Sequence, residues 1–472
     1  FTLAELCCEL SSHNSLSDRS AMASKFPKLG PKEGFFSEFD IKYEGPATKN
    51  PLAFKYYNKD EVVLGKPMKE WLRFAVCYWH TWRGNGADIF GLGGSIKRPW
   101  DGDDMEAALT RVDVHFEFCQ KLGIEYYCFH DRDVCPAEAA SIEETEKDFD
   151  VVAEKMAARQ AETGVKLLWG TCNLFSHPRY MHGACTNPDP AVVCRAAAAV
   201  KKCMEVTKAL GGENFVFWGG RDGYMCLLNT DYAQEQRNYA AFLKACADYA
   251  DSIGFKGQLL LEPKPREPAS HQYNYDAETT LGFLDHFGLI DRYSLNLEAN
   301  HGVMAGHSGE HEVAAAAARG KLGSVDANRD ESLLGWDTDM FPTSMTLATY
   351  MMKVIVEQGG IQPGGLNFDA KVRRESTDIE DLFIAHINGM DTMARALRAV
   401  AKLQADGSFD AMLTKRYAGF ADTEIGRRFA SGAAGLAELA EHAKAMGATE
   451  APPPSGKAEK FESIFNAYAL GA

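Results

Sequence analysis

Seven side chains suited to holding hard cations end consecutive apolar runs in this chain. Glu262 closes LLLEPKP, Glu298 and His301 close LNLEANH, Asp326 closes GSVDAN, Asp369 closes GLNFDAK, and Asp337 and Asp339 follow in GWDTD. Six carboxylates gathered without counter-charge repel one another and lose hydration. Mg2+ and Mn2+ favour oxygen donors, so two divalent cations nearly balance such a set, and Lys264 adds a further positive charge. Singly, each acid reads equally as a helix cap or loop residue, and His301 as a hydrogen-bonded polar side chain. Their coincidence at successive run ends points to a metal centre.

Other residues fit a reaction on a hydroxyl-rich substrate. His130 and Asp133 in FHDRD are spaced for an imidazole oriented by a carboxylate, an arrangement that passes protons to and from hydroxyls; a capped loop histidine is the plainer reading. Lys264, two residues after Glu262, shares its strand face and has a substrate oxygen or the acidic cluster itself as its partner. Trp79, Phe175 and Trp218 lie at run ends and Phe90 in the first loop. Singly these aromatics suit core packing; together they suit walls against the apolar face of a sugar, which also exclude water. No GxGxxG, GxxxxGK[ST] or GxSxG motif occurs in the sequence, so neither a nucleotide cofactor nor a serine elbow has a signature.

Eight short apolar runs must position these groups: residues 71–82, 125–131, 166–173, 214–220, 257–265, 293–301, 320–328 and 364–371. Between them lie stretches with apolar residues at spacings of three and four, among them 103–123, 143–164, 189–212 and 379–407. Asp103 or Asp104 is placed to cap the first of these, and Gly123 to stop it. Alternating strand and helix predicts parallel strands joined by crossovers, and eight units predict an α/β fold of the closed (β/α)8 TIM-barrel type. A doubly wound open sheet is the competitor. The expected division is an N-terminal extension and lead-in over 1–70, a barrel catalytic domain over 71–400, and an Ala-rich helical tail over 401–472 that serves subunit contacts.

The 472 residues carry a net charge of −16, with 46% hydrophobic and 25% charged residues. That balance predicts a globular enzyme without the basic face a nucleic-acid footprint needs. No apolar run approaches the roughly 18 residues needed to span a bilayer, so no membrane partner is expected. The 12 cysteines form no CxxC pair and read as reduced structural thiols. A cytoplasmic location is expected. Residues 1–30 leave organellar or secretory targeting open, although Glu5, Glu9 and Asp18 argue against a transit peptide.

The runs YWHTW, YYCFHDRDV, LLWGTCNLFSHPRY, NFVFWGGRDGY, LLEPKPREP, LNLEANH, GSVDANRD, GWDTD and GLNFDAKVRR occur in this order. With them the chain resembles the xylose isomerase family in its longer form, from about residue 41 to 445. The resemblance implies a homotetramer acting on a small sugar. The implied reaction interconverts D-xylose and D-xylulose, with D-glucose and D-fructose as a side pair, through ring opening and a 1,2-hydride shift. It also implies two divalent cations per subunit, Mg2+ foremost and Mn2+ or Co2+ admitted. Glu262, Glu298, Asp326 and Asp369 resemble the ligands of one; Glu298, His301, Asp337 and Asp339 resemble those of the other. By the same resemblance His130 with Asp133 assists ring opening, Lys264 donates to the substrate's O1, and Trp79, Phe175 and Trp218 wall the pocket. Phe90 matches a residue that enters a neighbouring subunit's pocket. Asp330 stands where the family commonly has Gly, which predicts a changed loop before Asp337. A barrel metallohydrolase or nuclease, or a non-catalytic sugar-binding relative, are the alternatives.

Overall fold

Each of the eight apolar runs contains a strand, and all eight lie side by side and parallel. In a computed structural model describing residues 34–447 and 454–471, they are β1 Phe74–Cys77, β2 Tyr126–His130, β3 Lys166–Thr171, β4 Asn214–Trp218, β5 Gln258–Glu262, β6 Tyr293–Glu298, β7 Leu322–Asp326 and β8 Leu366–Phe368. They hydrogen-bond in chain order and close through β8 and β1 into a barrel, so the open-sheet alternative is excluded. The first 30 residues, with the targeting question attached to them, fall outside the described residues.

The outer helices begin and end on local chemistry. Helix α1, Met105–Leu122, starts where the Asp104 carboxylate accepts from the Ala107 N–H at 2.8 Å. It stops at Gly123, whose φ of 66° a residue with a Cβ adopts only under strain. Helix α2, Ile142–Thr163, is capped by Ser141, and α3, Pro190–Ala209, by Asp189 with Pro190 in the first position. Then follow α4 Tyr232–Ile253, α5 Ala277–His286, α6 Gly309–Ala318, α7 Met345–Glu357 and α8 Ile379–Asp406.

All eight predicted runs extend beyond their strands, and in two of them most of the excess is helical. The run 71–82 is a strand only over β1: Trp71 and Leu72 end the short helix Met68–Leu72, Arg73 reverses the chain at φ 39°, and Trp79–Arg83 form a wide helical turn. The run 293–301 stops at Glu298, because Ala299–Met304 is a short helix carrying His301. In both places the apolar pattern runs on past the strand because these turns are buried against the barrel.

Side chains fill the barrel. Ala75, Cys128, Leu168, Val216 and Leu260 pack together with Tyr126 and Trp169, each with at most 5% exposure. Arg73 closes the end opposite the strand C-termini. Its Nε donates to the Gly364 carbonyl at 2.6 Å and its Nη1 to the Tyr126 hydroxyl at 2.8 Å. At Gly364 a Cβ would lie 1.8 Å from the Gly323 carbonyl oxygen, so only glycine lets β8 approach β7 there.

Two buried histidines on α1 and α8 make the fold acid-sensitive. Burial, then the charge of His386, pushes the His115 imidazole down to about 3, and burial pushes His386 down to about 4. The unfolded chain therefore takes up protons first as pH falls below the ordinary histidine value of about 6.5. Their contribution is fully present above that value and is lost as pH falls toward the folded-state values. In denaturant titrations between pH 7 and 4.5, His115→Gln should flatten the fall in stability by up to about 1.4 kcal/mol per pH unit. Glutamine keeps an acceptor for the Trp82 Nε1–H, which His115 Nδ1 accepts at 2.8 Å. An unchanged slope would remove His115 from this role.

By packing, the described residues divide into two compact units, one up to residue 394 and one from residue 395 onward. Among the described residues the second is helical, with Ser408–Asp422, Glu424–Ala430, Leu436–Met446 and Ala458–Gly471. The 10 described cysteines are free thiols, all buried but Cys194 and Cys226. No described helix is long and apolar enough to cross a membrane.

Candidate active site

The strand C-termini bring the seven predicted ligands together. Glu262, Glu298, Asp326 and Asp369 each present an oxygen within 4.8 Å of the other three, and Glu298, Asp337 and Asp339 form a second such group. His301 joins them from the first turn after β6, with Nε2 at 3.2 Å from Glu298 and 3.1 Å from Asp337. Glu298 belongs to both sets. Six of the seven are under 10% exposed. Asp339 holds a φ of 44°, a strained angle that turns its carboxylate into the cluster.

Burial, followed by repulsion from neighbouring carboxylates, raises Glu262, Glu298 and Asp326 well above the usual range. For Asp337 burial acts in the same direction, but Lys264 and His301 prevail and hold it well below. Asp369 is likewise lowered against its burial by a hydrogen bond and charge from His80. Such a donor set fits divalent cations: oxygens with one imidazole, short of protein counter-charge on one side. The buried Nδ1 of His301 finds no hydrogen-bond partner among the described residues.

Lys264 Nζ lies 2.7 Å from Asp337 and 5.2 Å from the Trp218 ring centre. Burial disfavours its charge, but Asp337, Glu298 and Glu267 outweigh that and keep it protonated. His130 Nδ1 lies 2.8 Å from Asp133 Oδ2, the hydrogen bond expected from their spacing, and Nε2 has no protein partner among the described residues. The rings of Trp79 and Phe175 stand 4.5 and 5.6 Å from the His130 ring, and Phe175 stands 4.6 Å from Trp218. Phe90 is elsewhere: it is 81% exposed, and its ring lies 6.1 Å from that of Trp336.

Asp330 does not need the backbone freedom of glycine. In its loop the left-handed angles fall on Gly335 and Asp339. The Arg329 N–H donates to the Met340 carbonyl at 2.8 Å, and Met340 returns the bond at 3.3 Å, closing the loop that presents Asp337 and Asp339.

Sequence reasoning missed several members of the cluster. His80 Nε2 lies 3.0 Å from Asp369 and 3.3 Å from Asp339. Burial lowers this imidazole, but Asp339 and then Asp369 prevail and push it up to about 9. Lys371 Nζ lies 2.7 Å from Asp339. Four asparagines brace the acids, Asn300 donating to Asp337. Asn296 donates to Glu262 at 2.9 Å and Asp326 at 2.7 Å, Asn367 to Asp326 at 2.8 Å, and Asn328 to Glu298 at 2.7 Å. The signal of three was readable: Asn296, Asn328 and Asn367 each stand two residues from Glu298, Asp326 and Asp369, hence on the same strand face.

A closed parallel barrel with a buried carboxylate and imidazole cluster at the C-terminal ends of its strands defines a (β/α)8-barrel enzyme. A family model described as a xylose isomerase-like TIM barrel matches residues 116–337, and one described as a XylA2 C-terminal domain matches residues 413–469. The chain is 50% identical over 439 residues to the xylose isomerase of Escherichia fergusonii, covering 92% of this chain and 99% of that one. It is 50% identical over 442 residues to that of Bacteroides thetaiotaomicron, covering 93% and 100%. The chain belongs to the xylose isomerase family and is an isomerase.

Proposed function

We propose that this enzyme interconverts D-xylose and D-xylulose, with D-glucose and D-fructose as a side pair, by ring opening and a 1,2-hydride shift. The observation that carries the reading is the shared Glu298 between two carboxylate groups, set beside Lys264, the His130–Asp133 pair and an aromatic wall. The 50% identity to proteins named xylose isomerase supports the choice of sugar. Glu262, Glu298, Asp326 and Asp369 would hold one divalent cation, and Glu298, His301, Asp337 and Asp339 a second, Mg2+ before Mn2+ or Co2+. When bound, such cations supply Lewis acidity toward the sugar oxygens.

The chain's own groups do the remainder. Asp133 fixes the imidazole of His130 so that Nε2 faces substrate and passes a proton as the ring opens. Lys264, charged and held by Asp337, donates to the substrate's O1. Trp79, Phe175 and Trp218 exclude water, so the hydrogen leaving C2 reaches C1 without exchange. Residues 71–400 form the catalytic domain in this reading. The residues from 401 onward serve subunit contacts in a homotetramer, as does Phe90. Exposed apolar side chains, Tyr417 at 55%, Phe429 at 52% and Phe90 at 81%, favour this assembly. A cytoplasmic location fits the reading.

Deuterium at C2 of D-xylose tests the reaction. The D-xylulose formed in ordinary water should carry the label at C1. Loss of the label to solvent would replace the hydride shift with proton abstraction.

A further inference from the structure

A second cluster of metal-ligating side chains lies outside the barrel mouth. His307 follows the short helix Ala299–Met304, His311 and Glu312 lie in the first turns of α6, and Asp276 caps α5. His307, His311 and Glu312 each present a donor atom within 4.8 Å of the others. The two imidazole rings stack at 4.5 Å between centres. Asp276 Oδ2 lies 3.2 Å from His307 Nε2, while Asp276 Oδ1 accepts from the Thr279 N–H at 2.6 Å. Glu278 lies 3.7 Å from His311 Nε2.

Glu312 points to a ligand. It is 3% exposed, and only its Oε2 is satisfied, by the Ala277 N–H at 2.8 Å. Its Oε1 is buried, has no hydrogen-bond partner among the described residues, and faces His307 Nε2 at 3.9 Å. A buried carboxylate oxygen left without a partner costs about 1–3 kcal/mol or more. Burial raises this carboxyl above its usual range, as expected where counter-charge is short.

We propose that His307, His311 and Glu312 form a further cation site that takes Zn2+, Co2+ or Ni2+. Two imidazoles and one carboxylate suit these ions better than Mg2+, which demands oxygen. Tetrahedral coordination with bonds of about 2.0–2.1 Å sets donors roughly 3.3 Å apart. His307 Nε2 and Glu312 Oε1 stand 3.9 Å apart, near that separation. The role is structural. A Cβ on Gly302 would lie 2.7 Å from Glu312 Cγ, so this carboxylate packs directly under the helix that presents Asn300 and His301. A cation here pins that helix to α6.

The test is a difference in stoichiometry. The full chain and its His311→Ala variant are equilibrated with Co2+, freed of unbound ion and analysed for metal per chain. The variant should hold about one equivalent fewer, whatever number the barrel mouth holds, and should keep its fold by circular dichroism and its isomerase activity in Mg2+. His307→Gln, a second variant, should lose the same equivalent. Equal metal content in wild type and both variants would overturn the proposal.

Discussion

Exhaustive dialysis against a chelator should abolish ketose formation, and returning Mg2+, Mn2+ or Co2+ should restore it. This is the largest effect expected of any treatment that leaves the chain intact. Glu262, Glu298 and Asp326 are buried, and burial and their neighbours raise them well above the usual carboxylate range. The protein supplies Lys264, His80 and Lys371 against six acids, and their contacts fall on the Asp337, Asp339 and Asp369 side. The hydrogen bonds to Glu262 and Asp326 come from neutral asparagines. Cation binding to the folded chain alone adds about 2.7 kcal/mol per site when free ion is a hundredfold above its dissociation constant. Chelation should therefore lower the thermal midpoint as well as the rate. Full activity after rigorous removal would reject metal dependence.

Lys264→Ala should lower kcat by roughly 10²–10³, the usual cost of removing one donor aimed at developing charge. The ammonium lies 2.7 Å from Asp337, so its loss also leaves that buried acid without its cation. His130→Asn should cost at least about 10² for a proton-transfer role. Both variants should keep the barrel, because neither side chain lies in the interior packing around Leu260 and Trp169. Wild-type turnover in either would discredit its assigned role; a lost circular dichroism spectrum would make it structural.

The barrel was legible because its signal is repetitive. Eight buried parallel strands leave eight apolar runs, and caps such as Asp104 and Gly123 mark the helices between. The carboxylate cluster was legible because strand ends must carry it. What stayed hidden depends on turns. His80 sits in YWHTW, and that run reads as continuous strand until Arg73 and the wide turn at Trp79–Arg83 divide it. Lys371 reaches Asp339 only through the loop closed by Arg329 and Met340. The strain at Asp339 has no sequence signature, because an aspartate at φ 44° is spelled like any other. Three of the asparagine braces were readable from spacing but carry no charge to draw attention.

Crystals of the metal-free enzyme soaked in Mn2+ and measured at the manganese absorption edge test the central claim most directly. Two anomalous peaks should appear in the barrel mouth, one among Glu262, Glu298, Asp326 and Asp369, the other among Glu298, His301, Asp337 and Asp339. A mouth without anomalous density, with the acids keeping the contacts they make here, would contradict the claim that these carboxylates converge to hold cations.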